Sequence, residues 1–231
     1  MKVYRHLFFD LDRTLWDFDK NAREAFADIY SIFKLKDYGI GSLDDFVKSY
    51  HLHNDVLWEL YRQGKIEKEY LRWKRFEDTL GDFGISNKQL AMEIGHEYIT
   101  ISPQKVNLLP NTLITLDYLH LRYPLYIITN GFEEVQFTKL ANSNLAGYFQ
   151  FVITSEAAGF KKPDQGIFNY ALKLVNADPS ESLMIGDDLI TDISGAVQAG
   201  MDAIFFNPGQ IAHNGGVAHE IFDLIELTKM L

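Results

Sequence analysis

The chain has 231 residues, 47% of them hydrophobic and 14% aromatic, enough for one large or two smaller packed domains and too apolar for a disordered chain. A formal net charge of −10 argues against a nucleic-acid polymer or an anionic membrane as partner, yet leaves room for a small anionic substrate reached through a bound cation. The absence of cysteine excludes disulfides, zinc–thiolate centres and thiol nucleophiles, and fits a cytoplasmic protein.

No targeting segment is expected. The start, Met1-Lys2-Val3-Tyr4-Arg5-His6, leads into an apolar run too short for a signal-peptide core. No stretch approaches the ~18 uninterrupted apolar residues of a spanning helix. The first element is the run Leu7-Phe8-Phe9, which ends abruptly on Asp10; Asp12, Thr14 and Leu15 follow. A carboxylate at the tip of a buried strand is costly to desolvate, and a divalent cation would compensate it. An Asx-type turn at Asp12 is the structural alternative.

From Trp16 to about residue 102 the texture is helical. Residues 19–35 repeat apolar positions at Ala22, Ala25, Phe26, Ile29, Ile32 and Phe33, and helical patterns continue over 43–61, 67–80 and 86–101. Ser42 or Asp44 is expected to cap the second helix and Ser86 the last. Trp58, Trp73, Tyr61 and Tyr70 are expected in the core of a small bundle rather than stacked on a ligand.

After Leu109-Pro110-Asn111 strands alternate with helices. Strands are expected at 125–129, 149–154, 183–187 and 203–206, and helices at 112–121, 133–141, 165–175 and up to about 199. Residues 155–163 read as a loop, and the tail from 220 to 231 as a short strand and a closing helix. Strands apolar on both faces argue a parallel sheet covered on both sides. The fold class is thus α/β, a Rossmann-like parallel sheet core flanked by helices. Residues 1–15 and 105–231 would form this core. Residues 16–104 would be an all-helical cap, inserted after the first strand and hanging over that end of the sheet.

Asp10, Thr129, Lys162 and Asp187 all fall at or just past the carboxyl ends of predicted strands, where open α/β sheets bind ligands. Asp10-x-Asp12-x-Thr14, Thr129 closing a strand, Lys162 before Pro163, and Gly186-Asp187 followed by Asp192 together resemble the haloacid dehalogenase superfamily, over the whole chain. The resemblance implies a C1-type helical cap and a Mg²⁺-dependent phosphomonoester hydrolase acting on a small phosphorylated metabolite. Asp10 would be the nucleophile that forms an aspartyl-phosphate. Asp12 would be the general acid and base. Asp10, Asp187 and the main-chain carbonyl of Asp12 would ligate the metal. Thr129, Lys162 and the main-chain amide of Asn130 would hold the phosphoryl group, as would the amides of Leu11 and Asp12.

Lys162 directly precedes the proline and is preferred over Lys161. Asp192 could orient Lys162 or a metal-bound water, or complement a helix dipole. Asp188 could contact a metal-bound water or face solvent. Arg13 is expected at the surface, and Glu133 and Glu134 in the first turn of a helix. The presence of Asp12 favours phosphoryl transfer over dehalogenation. The stretches around Trp16 to Phe18, Thr129-Asn-Gly-Phe132 with Gln136, and Gly159-Phe-Lys-Lys-Pro163 are similar to the branch of pyrimidine 5'-nucleotidases that act on noncanonical nucleoside monophosphates. The substrates this implies are dUMP, dTMP, UMP and their analogues. Trp16, Phe18 and Phe132 are then candidate base- or sugar-facing residues, with core packing as the alternative. A sugar-phosphate or phosphoglycolate phosphatase, a β-phosphoglucomutase-like enzyme and a non-catalytic phosphate-binding module are the rival functions.

Overall fold

Strands that are apolar on both faces can form a sheet only if something covers each face. In the computed structural model, which describes residues 3–231, such a sheet forms from β1 (His6–Phe9), β2 (Leu125–Thr129), β3 (Phe149–Thr154), β4 (Ser182–Gly186), β5 (Asp202–Phe206) and β6 (His219–Ile221). The order is β3-β2-β1-β4-β5-β6, parallel at every pairing, with Leu7 of β1 facing Leu125 on one side and Leu183 on the other. Met1 and Lys2, at the start of the stretch expected to carry no targeting signal, lie outside the described residues.

The chain divides into two compact units: residues up to Phe18 together with Val106–Leu231, and Asp19–Lys105. The second unit holds α1 (Phe18–Ile32) apart from its first residue, α2 (Leu43–Arg62), α3 (Lys68–Asp82) and α4 (Lys88–Ile101). Ser42 caps α2 by accepting from the Asp45 amide at 3.1 Å. At α4 the cap is Asn87, which accepts from Leu90 N at 3.0 Å, and not the expected Ser86. The interior is built from Phe26, Phe46, Tyr50, Phe76 and Tyr98, with the buried Arg75 guanidinium 5.1 Å from the Tyr98 ring centroid. Of the four aromatics expected there, Tyr61 is buried, Trp58 and Trp73 are half-buried, and Tyr70 is exposed. The latter three sit off the apolar stripe of their helices.

In the sheet unit the strand alternation sorts residues onto two faces. Leu7, Phe9, Leu125, Ile127, Leu183, Ile185, Ile204 and Phe206 pack on one side with Leu116 and Leu119 of α5 (Thr112–Leu119) and Leu140 of α6 (Glu133–Asn142). A single turn, α7 (Ser155–Ala158), occupies part of the stretch expected to be a loop, with Thr154 capping it. Phe8, Tyr126, Ile128, Met184, Ala203 and Phe205 face the other way, onto Ile167, Phe168 and Ala171 of α8 (Gln165–Leu174) and Ala196 of α9 (Gly195–Gln198). The helix expected directly after β4 begins as a wide π-helical segment, Leu189–Ser194, before α9, and the closing helix is the short α10 (Leu227–Met230). No helix among the described residues is long and apolar enough to cross a membrane.

Candidate active site

The order of strands reverses beside β1, since β2 and β3 lie to one side of it and β4, β5 and β6 to the other. Beyond the carboxyl ends of the strands at such a reversal the loops part and leave a crevice. Asp10 follows β1, Thr129 ends β2 and Asp187 follows β4, so the topology alone delivers three of the expected residues to this edge.

Asp10, Asp187 and Asp192 each present a carboxylate oxygen within 4.8 Å of the others. Lys162, 2% exposed, reaches into the group and donates to Asp10 Oδ1 at 2.5 Å, to Asp192 Oδ1 at 2.7 Å and to the Ile128 carbonyl at 2.8 Å. These bonds match the three hydrogens an ammonium has. Burial pushes the Asp10 carboxyl up to about 7, with Asp192 and Asp12 adding and Lys162 opposing. Burial likewise raises Asp187, reinforced by Asp10 and Asp192, and raises Asp192 against the pull of Lys162. For Lys162, burial works against the charge, but Asp10 and Asp192 outweigh it and hold the ammonium above the usual lysine range. Three carboxylates against one ammonium leave excess negative charge in a buried place. Hard oxygen donors so arranged fit a divalent cation, which would remove that excess.

Local structure explains why these groups meet. Gly186 has no Cβ, and one added there would lie 2.4 Å from Asp192 Oδ2, so the glycine lets Asp192 cross the end of β4. Asp192 Oδ2 accepts from the Asp188 amide at 3.1 Å. The exposed Asp188 uses its own carboxylate to cap the following turn, accepting from Ile190 N and Thr191 N at 2.8 Å each. Thr14 donates to Asp187 Oδ1 at 3.1 Å. Asn130 spends its side chain on the Lys162 main chain, donating to the carbonyl at 2.9 Å and accepting from the amide at 2.8 Å. Of the two adjacent lysines, Lys162 enters the cluster.

Asp12 sits apart from the carboxylate group. Its Oδ1 accepts from Lys139 Nζ at 2.5 Å and its Oδ2 from Gln136 Nε2 at 2.9 Å. Gln136 Nε2 also donates to Thr129 Oγ1 at 2.6 Å, and the Gly131 amide donates to the same oxygen at 3.1 Å. With two bonds accepted, the Thr129 hydroxyl has a hydrogen to offer an anion. Trp16, weighed as a ligand-facing residue, is instead wholly buried in the sheet core, and the Lys139 ammonium lies 4.2 Å from its ring centroid. Phe132 is buried as well, while Phe18 is half-buried with the exposed Arg13 guanidinium 4.4 Å from its ring centroid. Glu133 accepts from the Thr154 hydroxyl at 2.6 Å, a contact between β3 and the first turn of α6.

Lys139 is the participant that sequence reasoning missed. A lysine in the last turn of a helix reads as a solvated cation that complements the dipole. Its one signal is spacing, for Phe132, Gln136 and Lys139 follow at four- and three-residue steps and so share a face.

The doubly wound sheet, with a carboxylate cluster at its point of reversal, defines an α/β core whose oxygen donors fit a cation. The model of the haloacid dehalogenase-like hydrolases matches residues 4–200. The chain belongs to this family, and its relatives place it among the family's phosphatases. The pyrimidine 5'-nucleotidase PynA of Streptococcus pneumoniae is 32% identical over 99% of this chain and 95% of its own. A glyceraldehyde 3-phosphate phosphatase of Methanothermobacter thermautotrophicus is 33% identical over 99% of this chain and 100% of its own. The crystal structure of the HAD-hydrolase YfnB of Bacillus subtilis, bound to magnesium, matches with a TM-score of 0.89 at 28% identity, covering 100% of this chain and 99% of that one.

Proposed function

We propose that the protein is a Mg²⁺-dependent 5'-nucleotidase that hydrolyses pyrimidine nucleoside monophosphates through an aspartyl-phosphate on Asp10. The observation that carries the chemistry is the buried Asp10 carboxylate at the sheet's reversal point, bonded to Lys162 and within 4.8 Å of two further carboxylates. In this reading an Asp10 oxygen attacks phosphorus while the bond from phosphorus to the leaving oxygen breaks, and Asp12 gives that oxygen its proton. A water then attacks the aspartyl-phosphate and passes a proton to Asp12. Phosphate leaves, and Asp10 is restored.

The Thr129 hydroxyl donates to a phosphoryl oxygen, and so does Lys162, which exchanges its bond to Asp10 once Asp10 has attacked. Main-chain amides at Leu11, Asp12 and Asn130 complete the cradle. Asp192 holds Lys162 in place. Asp10, Asp187 and the Asp12 carbonyl would hold Mg²⁺, which when bound neutralises the nucleophile and the phosphoryl oxygens.

PynA supports the pyrimidine assignment, with a match over nearly the full length of both chains. The glyceraldehyde 3-phosphate phosphatase, equally similar, supports a second reading in which the substrate is a sugar phosphate. Phosphate release from pyrimidine and purine monophosphates and from sugar phosphates, with Mg²⁺ and with EDTA, decides between them. Release is expected to be Mg²⁺-dependent, fastest on pyrimidine monophosphates and abolished in Asp10→Asn. A faster rate on sugar phosphates would overturn the substrate and keep the mechanism. Transfer of phosphate back to substrate without free phosphate would indicate a mutase, and ligand binding without turnover a non-catalytic module.

A further inference from the structure

The contacts of Asp12 have no place in the mechanism so far. Each oxygen of its carboxylate has a separate donor, and both donors come from the same face of α6. Lys139 is 4% exposed and Gln136 not at all, so neither is a surface side chain that happens to touch Asp12. Gln136 turns its amide nitrogen to Asp12 Oδ2 and to Thr129 Oγ1. Its other end, Oε1, is then buried without a partner, a burial the fold carries at a cost. Room for Gln136 comes from Gly131, where an added Cβ would lie 2.4 Å from the Gln136 Cδ. The Trp16 ring, 4.2 Å from Lys139 Nζ, closes the far side of the ammonium.

An ion pair that served only to pack α6 against the sheet could be replaced by apolar residues at little or no cost. Here the fold accepts an orphaned amide oxygen and a buried ammonium in order to fix both oxygens of one carboxylate. We propose that Lys139 and Gln136 are positioning residues that set the direction of the Asp12 carboxylate, with Trp16 holding Lys139 in place. The inference rests on the reading of Asp12 as proton donor to the leaving oxygen. A misdirected Asp12 penalises a leaving group in proportion to its need for a proton. A nucleoside alkoxide needs one; p-nitrophenolate does not.

The test is the first-turnover rate of leaving-group release, with Mg²⁺, from a pyrimidine nucleoside monophosphate and from p-nitrophenyl phosphate. The first turnover isolates the step before water attacks the phosphoenzyme. In Lys139→Met, nucleoside release is expected to fall ~10-fold or more while p-nitrophenolate release stays within about threefold of wild type. Gln136→Met, which introduces no uncompensated charge, is expected to show the same split more weakly, and it carries the test if Lys139→Met does not fold by thermal melting. Equal losses on both substrates, or no loss on either, would overturn the proposal. A wild-type enzyme that releases neither product would instead sink the phosphatase reading beneath it.

Discussion

A missing Cβ governs the carboxylate cluster. At Gly186 an added Cβ would stand 2.5 Å from the Cβ and Cγ of Asp192 as well as 2.4 Å from Oδ2, too near its main chain for a rotamer change to relieve. Gly186→Ala is therefore expected to drive Asp192 off Lys162 and lower turnover by ~10-fold or more, with weaker Mg²⁺ dependence; titrating Mg²⁺ against activity checks this, and an unchanged enzyme would contradict it. Asp10, Thr129 and Asp187 are legible in the sequence because each ends or follows an apolar strand with a group that burial would otherwise penalise, whereas Lys162, in the loop after α7, is legible only as the lysine directly before Pro163. Lys139 is not, because its partner lies 127 residues away and its own neighbourhood is an ordinary amphipathic helix. For Trp16 the sequence leaves a ligand-facing role and core packing both open. An aromatic beside the Asp motif fits either, and the packed sheet decides for the core.

At the scale of elements, the loop that delivers Lys162 is braced by α8 and α9. A Cβ on Gly195 would meet the Phe168 ring at 2.6 Å and the Pro163 Cα at 3.1 Å, so α9 approaches this loop closely only because residue 195 has no side chain. Overpacking of this kind costs about 1–3 kcal/mol. Gly195→Ala should lower Tm by roughly 2–4 °C per kcal/mol lost and slow turnover by shifting Lys162. A calorimetric scan beside an activity assay reads both, and a variant with unchanged Tm would contradict the packing argument. The parallel strands and the long helices are legible from periodicity, since both faces of every central strand are apolar. The π-helical segment Leu189–Ser194 is not. There Asp188 caps the turn and Asp192 meets Lys162, one of its expected partners, but the widening of the turn itself leaves no trace in spacing. Nor is the half-exposed setting of Trp58 and Trp73, because aromatic content does not say which face of a helix is covered.

For the molecule as a whole, the cluster links stability to pH. A carboxyl whose folded pKa stands above its unfolded one keeps its proton in the native state after the unfolded chain has lost it. Asp10 is raised from 3.8 to about 7, so across that window the native state binds more protons and stability falls as pH rises, levelling off above it. Asp187 and Asp192 are shifted in the same direction. His6, lowered chiefly by burial, works the other way on acidification. The contribution of Asp10 is therefore best read as the Tm of Asp10→Asn minus that of wild type, in EDTA. This difference should grow as pH rises from about 4 to about 7. Adding Mg²⁺ should stabilise the wild type increasingly over the same range, because ligation requires ionised carboxylates. A difference that does not change with pH would show that the Asp10 proton is not linked to folding.

The segments that lead out of the sheet unit and back into it are tied to each other. Leu109 N donates to the Leu15 carbonyl at 2.9 Å and Asp17 N to the Asn107 carbonyl at 3.1 Å. The break in the chain between β1 and α5 is thus closed within the sheet unit itself. An inserted body of any length can begin and end there without asking the strands to change register.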